Sequence, residues 1–270
     1  MSGDPTSVYC FACGAMATTF EVAIRGQEER YARQAAQAAL EEAQRIEKEL
    51  SRFIPSSDIS RLNDLRRGEA MRIGIAAFEC LQVAKAVFAE TGGAFDVSLG
   101  TGLDRLCLDE KEHAVRVEAE GVTLDLGGIG KGYAVDQMAA VLKDWSIEEA
   151  LIHAGESTVL AIGSWPIEIR DTENPAGALG RIALRDCALS GSGVRLQGNH
   201  IIDPRTSRPV RGRLGAWAVA PTAALSDALS TAFMVMTAAE VEAYCARHTK
   251  VSATILTEGR DFLRCGTPLL

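Results

Sequence analysis

The sequence predicts an α+β fold, built as a single compact domain of two intertwined halves, with mixed or antiparallel sheets and flanking helices. Helical and strand patterns come in blocks along the chain, rather than in the regular alternation that a parallel sheet requires. The chain has 270 residues, of which 47% are hydrophobic and 24% charged, which is enough for one large domain with a sizeable core. We therefore interpret residues 1–270 as one domain.

The pattern in the first half of the chain predicts one strand followed by helices. Residues 16–24 alternate Thr, Phe, Val and Ile with smaller residues, which is the period of a strand. Residues 28–50 carry apolar side chains and alanines at helical spacing among charged residues. Pro55 ends this pattern, Ser57 is a candidate N-cap for a short helix, and residues 76–90 predict another helix. The long helix is expected to pack one face against the domain.

The second half supplies most of the strands. Short apolar runs predict strands at residues 114–117, 122–126, 150–152, 159–162, 167–170, 182–184, 214–220 and 252–256. Helical patterns occur between some of them, at residues 134–145, 225–236 and 239–248. This order is too irregular for a strand–helix–strand array and contains no internal repeat.

Charge and cysteine content argue against some classes of partner and cellular location. A net charge of −8 and a pI near 5.2 argue against a nucleic-acid partner, which would need clustered Lys and Arg. The N-terminus does not resemble a signal peptide, and the apolar residues 214–236 are interrupted by Pro221 and Asp227, so we expect no transmembrane segment. Seven scattered cysteines, with Cys10 and Cys13 as an isolated CxxC, fit reduced thiols. We expect a cytoplasmic protein.

Residues 123–136, TLDLGGIGKGYAVD, place one lysine among four glycines, between a strand-like run and a helical pattern. A Walker loop would need glycine in place of Asp125 and a hydroxyl residue in place of Gly132, and a dinucleotide fingerprint would need a small residue in place of Tyr133. What remains is backbone that can approach a ligand closely, the Lys131 ammonium group, and a helix N-terminus that attracts anions. A plain strand-to-helix turn with a surface lysine is an equal alternative.

Residues 200–206, HIIDPRT, bring an imidazole, a carboxylate and a proline-fixed turn together. His200 could accept a proton from a hydroxyl group near a phosphate, because histidine titrates close to neutral pH. The alternative is a structural histidine without a chemical role.

A third stretch, APTAALSDALSTAFMVM, carries two oxygen-bearing side chains one helical turn apart. Asp227 and Thr231 would project from one face of the helix. A carboxylate and a hydroxyl oxygen suit a hard divalent cation such as Mg²⁺, which leaves its other coordination positions to water and phosphate. The alternative is that Asp227 caps the start of its own helix.

Taken in this order, these stretches resemble the flavin transferase family, also called the ApbE family, of FAD:protein FMN transferases. The family's Met-Gly-Thr block is similar to residues 16–18, and its serine-rich block to LSRFIPSSDISRLN, which ends at Asn63. TGGAFDVSLG, at residues 91–100, is similar to its central block. The resemblance covers residues 9–258 and predicts an enzyme.

The resemblance implies a Mg²⁺-dependent reaction, in which a Thr or Ser hydroxyl of a partner flavoprotein attacks the FMN phosphorus of FAD and AMP leaves. Mg²⁺, or another divalent cation, would be held by the side chains of Asp227 and Thr231 and by the carbonyl of Gly130. His200 would be the base, supported by Asp203, and the catalytic set would include Lys131. The flavin or adenine would contact the remaining block residues: Met16, Thr18, Ser57, Asn63, Asp96, Gly128 and Ser192.

Some positions depart from the family pattern. Ala17 stands where Met-Gly-Thr has glycine, Glu156 follows Gly155 where a second glycine is usual, and Ser207 replaces the glycine after HIIDPRT. The blocks with the metal and base residues are intact. Two other functions therefore stay open: an FAD pyrophosphatase that releases FMN and AMP, and a non-catalytic FAD-binding module.

Overall fold

A computed structural model of the chain describes residues 7–170, 178–193 and 202–266. The helices within these ranges are α1 (Glu29–Leu50), α2 (Asp58–Asn63), α3 (Ile75–Glu90), α4 (Gly130–Asp144), α5 (Ala223–Val235) and α6 (Ala238–Arg247). The strands are β1 (Val8–Ala15), β2 (Thr18–Arg25), β3 (Ala70–Arg72), β4 (Leu106–Asp109), β5 (Ala114–Val117), β6 (Ala150–Ala154), β7 (Thr158–Ile162), β8 (Ser164–Arg170), β9 (Ala178–Arg185), β10 (Ala188–Gly193), β11 (Ile202–Asp203), β12 (Arg208–Pro209), β13 (Arg213–Ala220), β14 (Ser252–Thr257) and β15 (Phe262–Cys265).

The largest sheet has eight strands in the order β1-β2-β6-β7-β10-β13-β14-β15. Three small sheets accompany it: β3-β5-β4, the β8-β9 hairpin and the β11-β12 hairpin. Neighbouring strands run antiparallel throughout the described part of the chain. The predicted α+β class, with antiparallel sheets and flanking helices, is confirmed.

Each face of the large sheet has its own apolar layer. On one face, α1 lies against β1 and β2, α4 against β6 and β7, and α5 against β7, β10 and β13. This layer includes the fully buried Phe20, Ile46 and Phe233. The β8-β9 hairpin covers the other face, where Trp165 and Trp217 are buried together. The described helices include none that is both long and apolar enough to span a bilayer.

The predicted helices are all present, with ends that move by a few residues. The largest difference is at α4, which begins at Gly130 instead of residue 134, because its first turn includes two of the glycines that the sequence pattern assigns to a loop. Ser57 is the N-cap of α2, and its hydroxyl accepts the N–H of Ser60 at 3.0 Å, as predicted.

The predicted strand at residues 122–126 is wrong. This segment has no strand partner, because the side-chain amide of Asn63 takes a partner's place. Asn63 accepts the N–H of Leu124 at 2.7 Å and donates to its carbonyl at 3.0 Å. The N–H of Asp125 donates to the carbonyl of Val97 at 2.7 Å. A polar side chain from a distant helix therefore satisfies backbone groups that a sheet would otherwise pair.

The predicted strand at residues 16–24 is the second half of a hairpin. Ala15 pairs with Thr18, so Met16 and Ala17 alone form the turn between β1 and β2. Both have left-handed backbone, with φ of 50° and 56°. A two-residue hairpin turn with two positive φ values favours glycine or asparagine, which explains why a family glycine would suit position 17.

Replacing Ala17 by glycine is expected to stabilise the fold slightly. Left-handed backbone destabilises a protein with alanine there by about 1–2 kcal/mol relative to glycine. The greater freedom of glycine in the unfolded chain lowers the free energy of unfolding by about 0.4–1 kcal/mol. The net gain in the free energy of unfolding should be about 0.5 kcal/mol, measurable by urea denaturation. Ala12→Gly on β1 is the matched control and should lower stability; equal effects of the two variants would contradict the strain at Ala17.

Candidate active site

The crossing of α4 and α5 brings a buried carboxylate to the start of α4. Asp227 is 3% exposed, and its Oδ2 accepts the N–H of Gly132 at 3.1 Å. The same oxygen lies 3.8 Å from Nζ of Lys131, which donates to the carbonyl of Gly127 at 3.0 Å. We call residues 127–132 the glycine loop. Asp227 therefore faces both an ammonium group and the positive end of a helix dipole.

Asp227 is a helix cap, but of α4 and not of its own helix. It is the fifth residue of α5, whose N-cap is Thr222. Thr222 accepts the N–H of Leu225 at 3.3 Å. The interpretation that Asp227 caps its own helix is wrong, since the donor comes from Gly132 on another element.

The hydroxyl of Thr231 lies against the glycine loop. A Cβ placed on Gly128 would be 3.5 Å from Oγ1 of Thr231 and 3.2 Å from Cε2 of Phe95, so the loop can approach closely because this position has no side chain. Oγ of Ser192, at the end of β10, lies 3.3 Å from Oγ1 of Thr231 and 2.8 Å from Oγ of Ser230. Asp227 and Thr231 thus both contact the glycine loop, and Ser192 contacts Thr231.

Gly130 occupies the middle of this loop. It is buried, and its N–H donates to the carbonyl of Leu126 at 2.7 Å. A Cβ on Gly130 would be 3.8 Å from Leu50 at the end of α1. Gly130 is therefore held between Gly128, which approaches Thr231, and Gly132, which bonds Asp227.

The oxygens gathered here fit a hard divalent cation. One carboxylate, neighbouring hydroxyl groups and loop carbonyls are the donors that Mg²⁺ prefers, and one carboxylate leaves coordination positions for water and phosphate. The described residues contain no group of three or more His, Cys, Asp and Glu side chains that could hold a metal. A cation at Asp227 would consequently depend on this single carboxylate and on neutral oxygens.

The HIIDPRT block lies partly outside the described residues, and His200 is among those not described. Asp203 is described, and Arg205 contacts both of its carboxylate oxygens, with Nε 3.0 Å from Oδ1 and Nη2 3.1 Å from Oδ2. Burial raises the pKa of Asp203, but the hydrogen bonds and charge of Arg205 outweigh this and leave the pKa below its usual value. Support of His200 by Asp203 stays a prediction.

The described part of this block rests on the loop at residues 93–100. A Cβ on Gly100 would be 3.1 Å from the carbonyl oxygen of Pro204, and one on Gly93 would be 3.6 Å from Cγ of Arg205. Phe95 of the same loop approaches Gly128. The described residues of the HIIDPRT block and the glycine loop therefore both contact the loop at residues 93–100.

Three predicted flavin contacts use their side chains to hold local backbone. Ser57 caps α2, Asn63 pairs with Leu124, and Asp96 accepts the N–H groups of Ser98 and Gly100 at 2.7 and 2.9 Å. These bonds shape the segments around the glycine loop. Contact of these three residues with flavin or adenine stays a prediction.

Met16 and Thr18 lie at the same end of the large sheet as Ser192. The hydroxyl of Thr18 lies against Gly155, whose N–H donates to the carbonyl of Thr19 at 2.8 Å. The N–H of Met16 donates to a side-chain oxygen of Glu47 in α1 at 2.8 Å. Three of the residues predicted to surround the substrate therefore lie at one end of the sheet.

Asp136 is a residue of this region that the sequence reasoning missed. Its Oδ1 and Oδ2 accept the first two N–H groups of α5, from Ala223 at 2.7 Å and Ala224 at 2.8 Å. Each helix thus supplies a carboxylate to the N-terminus of the other, Asp227 to α4 and Asp136 to α5. The available signal is the equal four-residue spacing of 128, 132 and 136 and of 223, 227 and 231.

Replacing Gly132 by alanine is expected to destabilise the protein. A Cβ there would be 2.8 Å from Cα of Ala224 and closer still to the carbonyl of Ala223, and backbone cannot move aside as a side chain can. Overpacking of this kind lowers the free energy of unfolding by about 3 kcal/mol, and the higher helix propensity of alanine raises it by about 1 kcal/mol. A net loss of about 2 kcal/mol should appear in urea unfolding. Gly14→Ala, where a Cβ meets nothing within 4 Å, is the control; a loss no larger than in this control would contradict the close contact.

The stability contributed by Asp136 is expected to depend on pH. Burial raises its pKa to about 6 and the charge of Asp227 adds to this, although bonds from Ala224 and Ala223 and the charge of Lys143 oppose it. Between about pH 4 and 6 the folded state binds more protons than the unfolded state, so stability falls as the pH rises through this window. The stability of the wild type relative to Asp136→Asn should fall by up to about 3 kcal/mol between pH 4 and 7. A pH-independent difference in urea unfolding would contradict this.

Comparison with known proteins shows which family this chain is similar to. A model of the ApbE family matches residues 16–104 and 100–255. An FAD:protein FMN transferase from Klebsiella pneumoniae is 24% identical over 246 residues, covering 77% of each chain, and one from Escherichia coli K12 is 25% identical over 265 residues, covering 79% of this chain and 74% of its own. The ApbE protein of Thermotoga maritima superposes with a TM-score of 0.86 at 26% identity, over 97% of this chain and 98% of its own.

Proposed function

The chain belongs to the ApbE family, and we propose that it is an FAD:protein FMN transferase. The proposed reaction moves FMN from FAD to a Thr or Ser hydroxyl of a partner flavoprotein, depends on Mg²⁺ or another divalent cation, and releases AMP. The names of the relatives support the enzyme class. The observation that carries the proposal is the meeting of Asp227 and Thr231 with the glycine loop.

Three groups of this chain would hold the cation: the side chains of Asp227 and Thr231 and the carbonyl of Gly130. When bound there, a divalent cation supplies positive charge to phosphoryl oxygens as the diphosphate is cleaved. Lys131 adds a second positive charge within 3.8 Å of the same carboxylate. Because α4 begins in this loop, its N-terminal N–H groups also favour an anion there.

The proposed reaction transfers the FMN phosphoryl group to the acceptor hydroxyl, with His200 and Asp203 acting on the hydroxyl proton. The hydroxyl oxygen of the acceptor forms a bond to the FMN phosphorus, and the bond from that phosphorus to the bridging oxygen breaks, so that AMP leaves with this oxygen. The hydroxyl proton passes to the imidazole of His200, since a hydroxyl group is a weak nucleophile at neutral pH. Asp203 would support that base.

The proposal is tested by incubating the purified protein with FAD, MgCl₂ and a candidate acceptor flavoprotein. The expected product is acceptor that stays fluorescent in a denaturing gel, with a mass increase that matches one esterified FMN, together with one AMP per FMN transferred. Mutating the modified Thr or Ser of the acceptor to alanine should abolish labelling. AMP release without any acceptor would indicate a pyrophosphatase, and tight FAD binding without AMP or labelled protein would indicate a binding module.

A further inference from the structure

The N-terminus of α5 is fastened to α4 by a side chain of α4. Oδ1 and Oδ2 of Asp136 accept the N–H groups of Ala223 and Ala224. Thr222 satisfies the next N–H group, that of Leu225. The first turn of α5 therefore has two kinds of restraint: an internal cap, which does not involve α4, and a carboxylate that ties it to α4.

The two helices meet in a repeating register. Asp136 bonds Ala223, Gly132 bonds Asp227 one turn further along α5, and the contact of the next turn joins Gly128 to Thr231. Each step moves four residues back along one segment and four residues forward along the other. The bonds of Asp136 and the contact of Gly128 with Thr231 thus lie at opposite ends of one continuous contact.

A small slip of this contact would displace the oxygens of the site. One residue of an α-helix corresponds to about 1.5 Å along its axis and about 100° around it. Oxygen ligands of Mg²⁺ lie about 2.0–2.1 Å from the ion in nearly ideal octahedral geometry, so a slip of this size removes a ligand. Elsewhere on α5, Oγ of Ser226 donates to the carbonyl of Ala218 at 2.7 Å, which holds α5 to β13 but does not involve α4.

We propose that Asp136 is a positioning residue of the active site. Its carboxylate ties the start of α5 to α4, and so sets where Asp227 and Thr231 stand relative to the glycine loop. The inference rests on the proposed function, since it assumes that these oxygens hold a cation. It assigns a role to the last residue of TLDLGGIGKGYAVD, which contacts neither substrate nor cation itself.

The test compares Asp136→Asn with Thr222→Ala. Asparagine keeps the size of the side chain, but its NH₂ group cannot accept an N–H, so one of the two bonds to α5 is lost. Thr222→Ala weakens the same helix end and leaves the tie to α4 in place, so it is the matched control for stability. Mn²⁺ binding is followed by electron paramagnetic resonance with FAD present, and hydrogen exchange reports on the first turn of α5.

For Asp136→Asn, the dissociation constant for Mn²⁺ is expected to rise about tenfold, as when outer groups that orient metal ligands are removed. Thr222→Ala should change it less than about twofold at a comparable loss of melting temperature. The Mg²⁺ concentration for half-maximal transfer should rise in parallel, while the rate at saturating Mg²⁺ changes much less. Equal Mn²⁺ affinities in the two variants, or wild-type affinity in Asp136→Asn, would overturn the proposal.

If Asp136→Asn does not fold, Asp136→Glu replaces it. This variant keeps the charge and moves the carboxylate by one methylene group, so a folded protein with weaker Mn²⁺ binding supports the positioning role, and wild-type affinity overturns it. The titration needs no turnover. A wild-type protein that binds Mn²⁺ without transferring FMN would refute the proposed function, and the comparison of variants would still decide the role of Asp136.

Discussion

Asp227→Asn is expected to lower FMN transfer by about 10³-fold with little loss of stability. The amide oxygen of asparagine can still accept the N–H of Gly132, so the start of α4 stays capped. What disappears is the negative charge at a site whose other proposed ligands are neutral. A bound cation contributes several kcal/mol to phosphoryl transfer, and about 4 kcal/mol corresponds to about 10³-fold in rate.

The loss of transfer should depend on the concentration of the divalent cation. Raising the Mg²⁺ or Mn²⁺ concentration should recover part of the activity of Asp227→Asn, and its Mn²⁺ resonance spectrum in the presence of FAD should show weakened binding. Asp144→Asn, an exposed carboxylate at the end of α4, is the control and should retain wild-type transfer. Transfer by Asp227→Asn within tenfold of wild type would remove the carboxylate from the reaction.

The pairing of Asp227 with Thr231 could be predicted because it depends on one helix only. Four residues bring two side chains to the same face of an α-helix, whatever lies opposite. What lies opposite could not be predicted from that spacing. The sequence left open whether Asp227 caps its own helix, and the structure gives it a donor from α4, on Gly132, 95 residues away in sequence.

The contacts of Asp136 could not be predicted for the same reason, because they also join two helices. Within its own segment it is a polar residue at the end of TLDLGGIGKGYAVD, and nothing local distinguishes it from a solvated helix residue. Its partners, Ala223 and Ala224, are 87 and 88 residues away. Backbone groups leave no trace in the identity of a side chain, so the four-residue spacing that includes Asp136 does not show which N–H groups its carboxylate bonds.

The error at residues 122–126 has a related cause. An apolar run with alternating side chains is typical of a strand, but a sheet also needs a neighbouring backbone. Here Asn63, 61 residues away, supplies both hydrogen bonds of Leu124. Residues 122–126 therefore lead directly into the glycine loop instead of continuing a sheet.

His200→Ala is expected to lower FMN transfer by about 10²–10⁴-fold, the range for loss of a general base. The described part of its block, through Pro204, rests on the loop that carries Phe95 to Gly128, which supports a place for this block beside the glycine loop. Since the imidazole would act on the acceptor hydroxyl and not on the cation, Mn²⁺ binding and FAD affinity should stay as in the wild type. This separates the expected phenotype from that of Asp227→Asn.

The pH profile provides the decisive measurement for His200. A histidine base makes the rate rise with pH as its imidazole loses a proton, and the alanine variant should lose this rise while a slow residual rate remains. His113→Asn, at an exposed turn, is the control and should keep both rate and profile. If His200→Ala kept the wild-type rate, another group would have to accept the hydroxyl proton. If it lost Mn²⁺ binding instead, His200 would belong to the cation site, and its proposed role as the base would be wrong.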